Sequence, residues 1–133
     1  VSNPNIVNVT QIYGQTNYLT PANTSTLVLI ANTSGSGNVF KVNQIVASNI
    51  TNTAANVTVS LFTSGATTSG NAVTRAAATT FDVTSNISVP AFASLIVVDK
   101  TTATYLLEDR AFVVASGTNN AITFSVSYEQ LSS

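Results

Sequence analysis

The stretch that decides the fold is "AITFSVSYE", residues 121–129. Ile122, Phe124, Val126 and Tyr128 fall on one side of an extended chain, and Thr123, Ser125 and Ser127 on the other. A period of two is the mark of a strand with one face in an apolar core and one in water. The segments on its N-terminal side carry the same signal at shorter length. "AFVVAS" (111–116) reads as a strand and "YLL" (105–107) as a short one, with Glu108, Asp109 and Arg110 between them. In "NISVPAFASLIVVDK" (86–100), Ile87 and Val89 alternate up to Pro90. A corner at Ala91 to Ala93 then leads into the apolar run Leu95 to Val98, and Asp99 and Lys100 open a polar turn through Thr104.

The first half follows the same logic. "NIVNVTQIY" (5–13) is expected to form a strand ended by Tyr13-Gly14 and preceded by an arm of Val1, Ser2, Asn3, Pro4 and Asn5. Pro4 lacks an amide donor and suits an arm or edge. "TLVLIA" (26–31) is a compact apolar run of strand length, followed by the turn-forming "NTSGSGN" (32–38). "VFKVNQIVASNI" (39–50) predicts a long strand in which Phe40 and Val42 share a face. Its pattern shifts at Asn43-Gln44, where a bulge would carry later side chains to the other face. "NVTVSLFT" (56–63) alternates cleanly, whereas 64–85 is weakly patterned and is expected to be a long loop or a hairpin around Ala72 to Ala76. Eight or nine short strands separated by turn signals, with no helical period over ten residues, predict an all-β chain. The expected architecture is a single-domain antiparallel β-sandwich, jelly-roll-like, over residues 1–133.

Composition agrees with that reading and narrows function. A chain of this length buries roughly 70% of its unfolded surface, enough for a core without metals or disulfides. Only 7% of the residues are charged, against roughly 25% in an ordinary soluble domain, and the net charge is −1. Copies of such a chain repel one another weakly, which suits life in an oligomer or lattice. There is no basic patch to neutralise phosphates, so a nucleic-acid partner is not expected. Nor is a membrane partner expected, because apolar runs such as Leu27 to Ala31 are far too short to span a bilayer. The chain opens on Val1, which predicts that a starting Met was removed or that the end is processed, and no signal-peptide pattern follows it.

Reactive chemistry is scarce. His and Cys are absent, which removes His-based triads, thiolate nucleophiles and His or Cys metal sites. The acids are Asp82, Asp99, Glu108, Asp109 and Glu129. Glu108 and Asp109 are adjacent and point apart on an extended segment, a poor pair for two-carboxylate catalysis. Asp99, Glu108 and Asp109 with carbonyls would suit calcium, but no EF-hand-type loop supports it. Lys41 and Lys100 lie where solvent is the simplest neighbour. The expectation is a non-enzyme without cofactors. Six Asn-x-Ser/Thr sequons occur, at Asn8, Asn23, Asn32, Asn49, Asn56 and Asn86. This Asn, Ser and Thr content predicts about four by chance, so they do not signal glycosylation. The triplet Glu108, Asp109, Arg110 is expected to hold a tight connection in water. With Arg75 and the arm Val1 to Asn5, it supplies the candidate interface residues.

A family pattern also fits. "NISVPAFASLIVVDKTTATYLLEDRAFVVAS" (86–116), followed by "ITFSVSYEQL" (122–131), resembles small structural proteins of tailed phages, notably those infecting cyanobacteria. "NPNIVNVTQIYG" (3–14) and "SGSGNVFKVNQIVASNI" (34–50) are similar to it as well, so the resemblance spans most of the chain except the region around 64–85. Two places depart from it. Ala91-Phe92-Ala93 stands where a glycine or an Asp-Ser pair is usual, and Glu108-Asp109-Arg110 replaces Glu-Gly-Asp. The resemblance implies a virion component, most concretely a capsid decoration (cement) protein. Such a protein would sit on the outer capsid surface as a homo-oligomer, a trimer, and bridge neighbouring major capsid proteins. The competing expectation is a tail, neck or fibre module that binds a host surface glycan. Its sign would be Tyr13, Tyr18, Tyr105 or Phe92 exposed together as an aromatic platform.

Overall fold

The computed structural model describes residues 11–63, 68–76, 78–99, 101 and 104–132. The arm Val1 to Asn5 and Lys100 lie outside them. Among the described residues nine strands form: β1 (Gln11–Leu19), β2 (Leu27–Asn32), β3 (Asn38–Asn49), β4 (Ala55–Phe62), β5 (Thr80–Val89), β6 (Ser94–Val98), β7 (Thr104–Leu106), β8 (Arg110–Ser116) and β9 (Ile122–Ser132). One sheet has the order β1-β9-β3-β6, with β7 also paired to β3, and the other has the order β2-β8-β4-β5. Every pairing is antiparallel. The connectivity is that of one long hairpin rolled up. β4 pairs β5 at its tip, β3 pairs β6 and β7, β2 pairs β8, and β1 pairs β9. The β3–β9 and β4–β8 pairings then close the roll. The chain is an antiparallel β-sandwich with jelly-roll topology.

The core sits between the sheets and follows the sequence pattern. Ile122, Phe124, Val126 and Tyr128 of β9 are all buried in it. Phe40 and Val42 of β3 face inward. The β3–β9 register shifts between Val42 and Gln44, after which Ile45 and Ala47 take the inward positions. The predicted bulge is therefore real, and it lets one strand place even-numbered and then odd-numbered residues in one core. The ring of Phe40 lies 5.1 Å from that of Tyr128, centroid to centroid.

β2 is apolar from Leu27 to Ala31 because both of its faces are covered. Leu29 and Ile30 join the main core. Val28 joins a second cluster outside the sheet with Phe62, Ala111 and Val113, against which Val73 packs. Val73 belongs to a strap that runs along β2. The Gly70 amide donates to Val28 O at 2.8 Å, the Val28 amide to Asn71 O at 2.9 Å, and the Val73 amide to Thr26 O at 3.0 Å. No hairpin around Ala72 to Ala76 forms among the described residues, because these backbone groups bond to β2 instead. The last part of the weakly patterned stretch is strand, since β5 begins at Thr80. β1 likewise runs through Gly14 to Leu19 instead of ending at Tyr13-Gly14. Its backbone pairs with β9 along its whole length, and a mostly exposed edge strand tolerates glycine.

Two buried asparagines tie the sheets together at the two ends of β3. Asn32 donates from its amide to Asn38 O at 2.8 Å and Leu106 O at 3.0 Å. Asn49 donates to Thr53 O at 2.8 Å and Val89 O at 3.0 Å, while its side-chain oxygen accepts from the Thr51 amide and hydroxyl. Each satisfies backbone carbonyls that the strand ends leave unpaired.

Candidate interaction surface

The charged residues singled out in the sequence fall into separate groups. Arg75 ends the strap on the outer face of the β2-β8-β4-β5 sheet. Its guanidinium donates to Ser60 Oγ at 2.9 Å and to Asp82 Oδ1 at 2.5 Å, and Ser60 Oγ donates to the same carboxylate oxygen at 2.6 Å. Ser60 and Asp82 meet because they are cross-strand partners in β4 and β5. The Ser60 hydroxyl, and after it the Arg75 guanidinium, hold the Asp82 carboxyl below its ordinary pKa. A pocket of about 220 Å³ opens beside this group, lined by Thr58, Arg75, Asp82, Ser85 and Ala115. Its cation and its anion neutralise each other, so the arrangement fastens the strap and leaves little net charge for a ligand.

Glu108, Asp109 and Arg110 do not act as one solvated cluster. Glu108 is half-buried, and its Oε1 accepts from the Gly37 amide at 3.0 Å, bracing the β2–β3 turn. Asp109 takes φ 63°, the left-handed conformation of a tight turn. Arg110 is the first residue of β8, opposite Asn32. The backbone reason lies in the turn: one left-handed residue reverses the chain between β7 and β8 and swings Glu108 toward Gly37. The other acids are also engaged locally. Asp99 accepts from the Thr101 amide at 2.9 Å, and Glu129 from the Asn43 side-chain amide at 3.1 Å. Among the described residues no group of three or more potential metal ligands gathers.

Tyr13, Tyr18, Tyr105 and Phe92 are all exposed but do not share a platform. Tyr13 and Tyr18 sit at positions of opposite parity on β1, so they project from opposite faces. Tyr105 pairs with Lys41, which pairs with Glu129 opposite Gly14. Four residues along β1 and three strands across place Tyr18 and Tyr105 roughly 20 Å apart. Among the sequons, Asn32 and Asn49 are buried with their amides committed to backbone oxygens, whereas Asn23, Asn56 and Asn86 are exposed. Asn8 lies outside the described residues.

What the sequence reading missed is a row of exposed apolar side chains along β5. β5 and β6 are the edge strands of opposite sheets and approach each other across its open flank. Phe81 and Ile87 of β5, opposite Leu61 and Val57, are exposed along this edge with Val83 between them, whereas the exposed Ile96 of β6 pairs with Val46 on the outer face of its own sheet, and Phe92 is exposed at the corner between the two strands. Phe92 is 72% exposed and has φ 55°. Its amide donates to Thr51 O at 3.1 Å, and the Asn49 amide donates to Ala93 O at 2.8 Å, so the corner is anchored to the β3–β4 connection. The signal was present in the sequence: residues 83–98 contain no charge.

Neither a protein-family model nor a curated protein matches the chain. Among solved structures, one of the infectious bursal disease virus Gx strain overlays 91% of this chain and 31% of that chain, with a TM-score of 0.45 and 12% identity. A crystal structure of the T13 particle of the same virus overlays 91% of this chain and 39% of that chain, with a TM-score of 0.24 and 12% identity. This chain thus spans about a third of the length of those virus chains.

Proposed function

We propose that the chain is a structural protein of a phage virion, specifically a decoration protein on the outer capsid surface that bridges neighbouring major capsid proteins as a homo-oligomer, a trimer. The observation that carries this reading is the character of its surface. Ten large apolar side chains are exposed among the described residues, while the Arg75 and Asp82 charges cancel within one ion pair. Burying such a surface against protein requires little desolvation of charge. The resemblance of residues 86–116 and 122–131 to small tailed-phage structural proteins points the same way. A protein that binds only the assembled shell stabilises it by mass action, without any reactive group.

The test is uptake by expanded empty heads of a tailed phage that infects cyanobacteria. Stoichiometric, saturable binding and a raised temperature of head disruption are expected. Binding to host cells or isolated surface glycans, with none to heads, would overturn the proposal in favour of an adhesin. The separation of Tyr18 from Tyr105 removes the platform that reading expected.

A further inference from the structure

We propose that the cavity beside the strap, bounded by Thr58, Arg75, Asp82, Ser85 and Ala115, binds one ring of a neutral saccharide. This is independent of the capsid role and adds to it a site on the outer face of the β2-β8-β4-β5 sheet. An unbroken strand would not form the cavity. Residues 82 and 85 differ in parity, so on a regular strand their side chains leave opposite faces. Here β5 carries an extra residue at each of two register shifts. Ser60 pairs with Asp82 but Val59 with Thr84, and Val57 pairs with Ile87, so Ser85 and Asn86 together stand opposite Thr58. The Asn86 amide donates to Thr58 Oγ1 at 3.0 Å, and Asn86 takes φ 51°. Bulges of this kind re-aim side chains and recur beside functional sites. Their effect here is to gather Thr58, Asp82 and Ser85 around one opening. The strap supplies the remaining polar wall, since the backbone bonds of Gly70 and Val73 to β2 fix the approach of Arg75.

Size and the groups left unspent select the ligand class. The cavity's volume of about 220 Å³ lies below the roughly 300–1,000 Å³ that hold a drug-sized molecule, and suits a single ring. Arg75 spends one N–H on Ser60 and one on Asp82, and the rest of its fork of donors stays open to a ligand. The bonds that Asp82 accepts from Ser60 and Arg75 both fall on Oδ1, so Oδ2 keeps acceptor capacity. Thr58 accepts from the Asn86 amide through its oxygen and keeps its own proton to donate. Donors and acceptors therefore stand side by side. Neighbouring sugar hydroxyls, each both donor and acceptor, satisfy such a set. An anionic ligand meets Asp82 and a cationic one meets Arg75, and the ion pair leaves no net charge to hold either. An apolar ligand would bury these polar groups unpaired, at a cost. Ala115 offers a methyl group to the C–H face of the ring.

Amide NMR of the full chain tests this, in titrations with the methyl glycosides of glucose, galactose and mannose and with N-acetylneuraminic acid and glucosamine as charged controls. At least one neutral glycoside is expected to shift the amides of Thr58, Arg75, Asp82, Ser85 and Ala115 saturably, with a dissociation constant on the order of 1 mM, as suits so small a ligand. The charged sugars are expected to bind about tenfold more weakly or not at all. Ala115→Leu, which fills the cavity and leaves the Arg75–Asp82 pair in place, should abolish the shifts without changing the rest of the spectrum. No saturable shift from any neutral glycoside, charged sugars that bind as well, or unaltered binding by Ala115→Leu would overturn the inference. If Ala115→Leu unfolds, Ser85→Ala is measured and must weaken binding by itself. Head uptake reads the other proposal independently. A chain that coats heads but binds no sugar refutes the cavity alone, and one that binds sugar in the cavity but ignores heads refutes the capsid role alone.

Discussion

Asn49 donates its side-chain amide to the carbonyl oxygen of Val89 at 3.0 Å, joining β3 of one sheet to β5 of the other. Asn32 makes the corresponding bond from β2 to Leu106 of β7 at 3.0 Å. Asn49→Ala would leave the carbonyls of Thr53 and Val89 without this donor in a buried setting. An unsatisfied buried group costs about 1–3 kcal/mol, so a total loss of about 2–4 kcal/mol is expected in urea unfolding. Asn32→Ala is expected to cost a similar amount. The two sites stand roughly 35 Å apart along β3, so the double variant should lose the sum of the single losses. A large departure from additivity would show that the two ties are not independent.

The Arg75–Asp82 pair predicts a dependence on acid. The folded state holds the Asp82 carboxyl below its model value of 3.8, through the Ser60 hydroxyl first and Arg75 second. Its contribution is therefore fully present above the ordinary carboxylate range and is lost as pH falls through the lowered folded value. Both side chains are partly exposed, which limits the pair to about 1 kcal/mol. Melting curves between pH 6 and pH 2 should show Asp82→Asn less stable than wild type at pH 6, with the gap closing below about pH 4. A gap that stays constant to pH 2 would assign the loss to the strap's packing on Val28 and Phe62 instead.

Tyr128 gives the opposite limb. Its hydroxyl donates to Gln15 Oε1 at 2.7 Å, and burial raises its pKa above 10.0. The folded state keeps this proton at pH values where the unfolded chain has lost it. Stability is thus intact below about pH 10 and falls as pH rises from there through the raised folded value. Tyr128→Phe should cost about 1 kcal/mol at neutral pH and flatten the alkaline loss. Urea midpoints at pH 7 and pH 11 measure both effects.

The residues that decide the sandwich speak locally. The alternation of β9 and the phase change at Asn43-Gln44 place the strand and its bulge, because burial on one face imposes a period that nothing else in the chain imitates. The edges are quieter. In β1, Gly14, Gln15, Thr16 and Asn17 are all exposed or half-exposed, so no face is selected and the strand reads as a turn. In β5 the exposed pattern of Phe81, Val83 and Ile87 conforms to neither a buried face nor a loop. The Ser60, Arg75 and Asp82 group is assembled from separate segments by the β4–β5 register, which periodicity does not encode. Glu108 is the instructive case: its charge suggested water, but one left-handed turn gives it a backbone donor.

That left-handed conformation links the two departures from the phage-protein pattern. Asp109, in place of the usual glycine, has φ 63°, and Phe92, where the corner is usually glycine or Asp-Ser, has φ 55°. A left-handed backbone costs an ordinary side chain about 1–2 kcal/mol, whereas aspartate tolerates it by bonding locally. Replacing either residue with glycine relieves the strain but adds about 0.5–1 kcal/mol of backbone entropy. Asp109→Gly should therefore change stability by less than about 0.5 kcal/mol. Phe92→Gly should be neutral to stabilising by about 1 kcal/mol, because its exposed ring contributes little to the core. Thermal melts of the two variants beside wild type measure both changes. A Phe92→Gly chain that melts well below wild type would show that the ring packs on its own sandwich and outweighs the relieved strain.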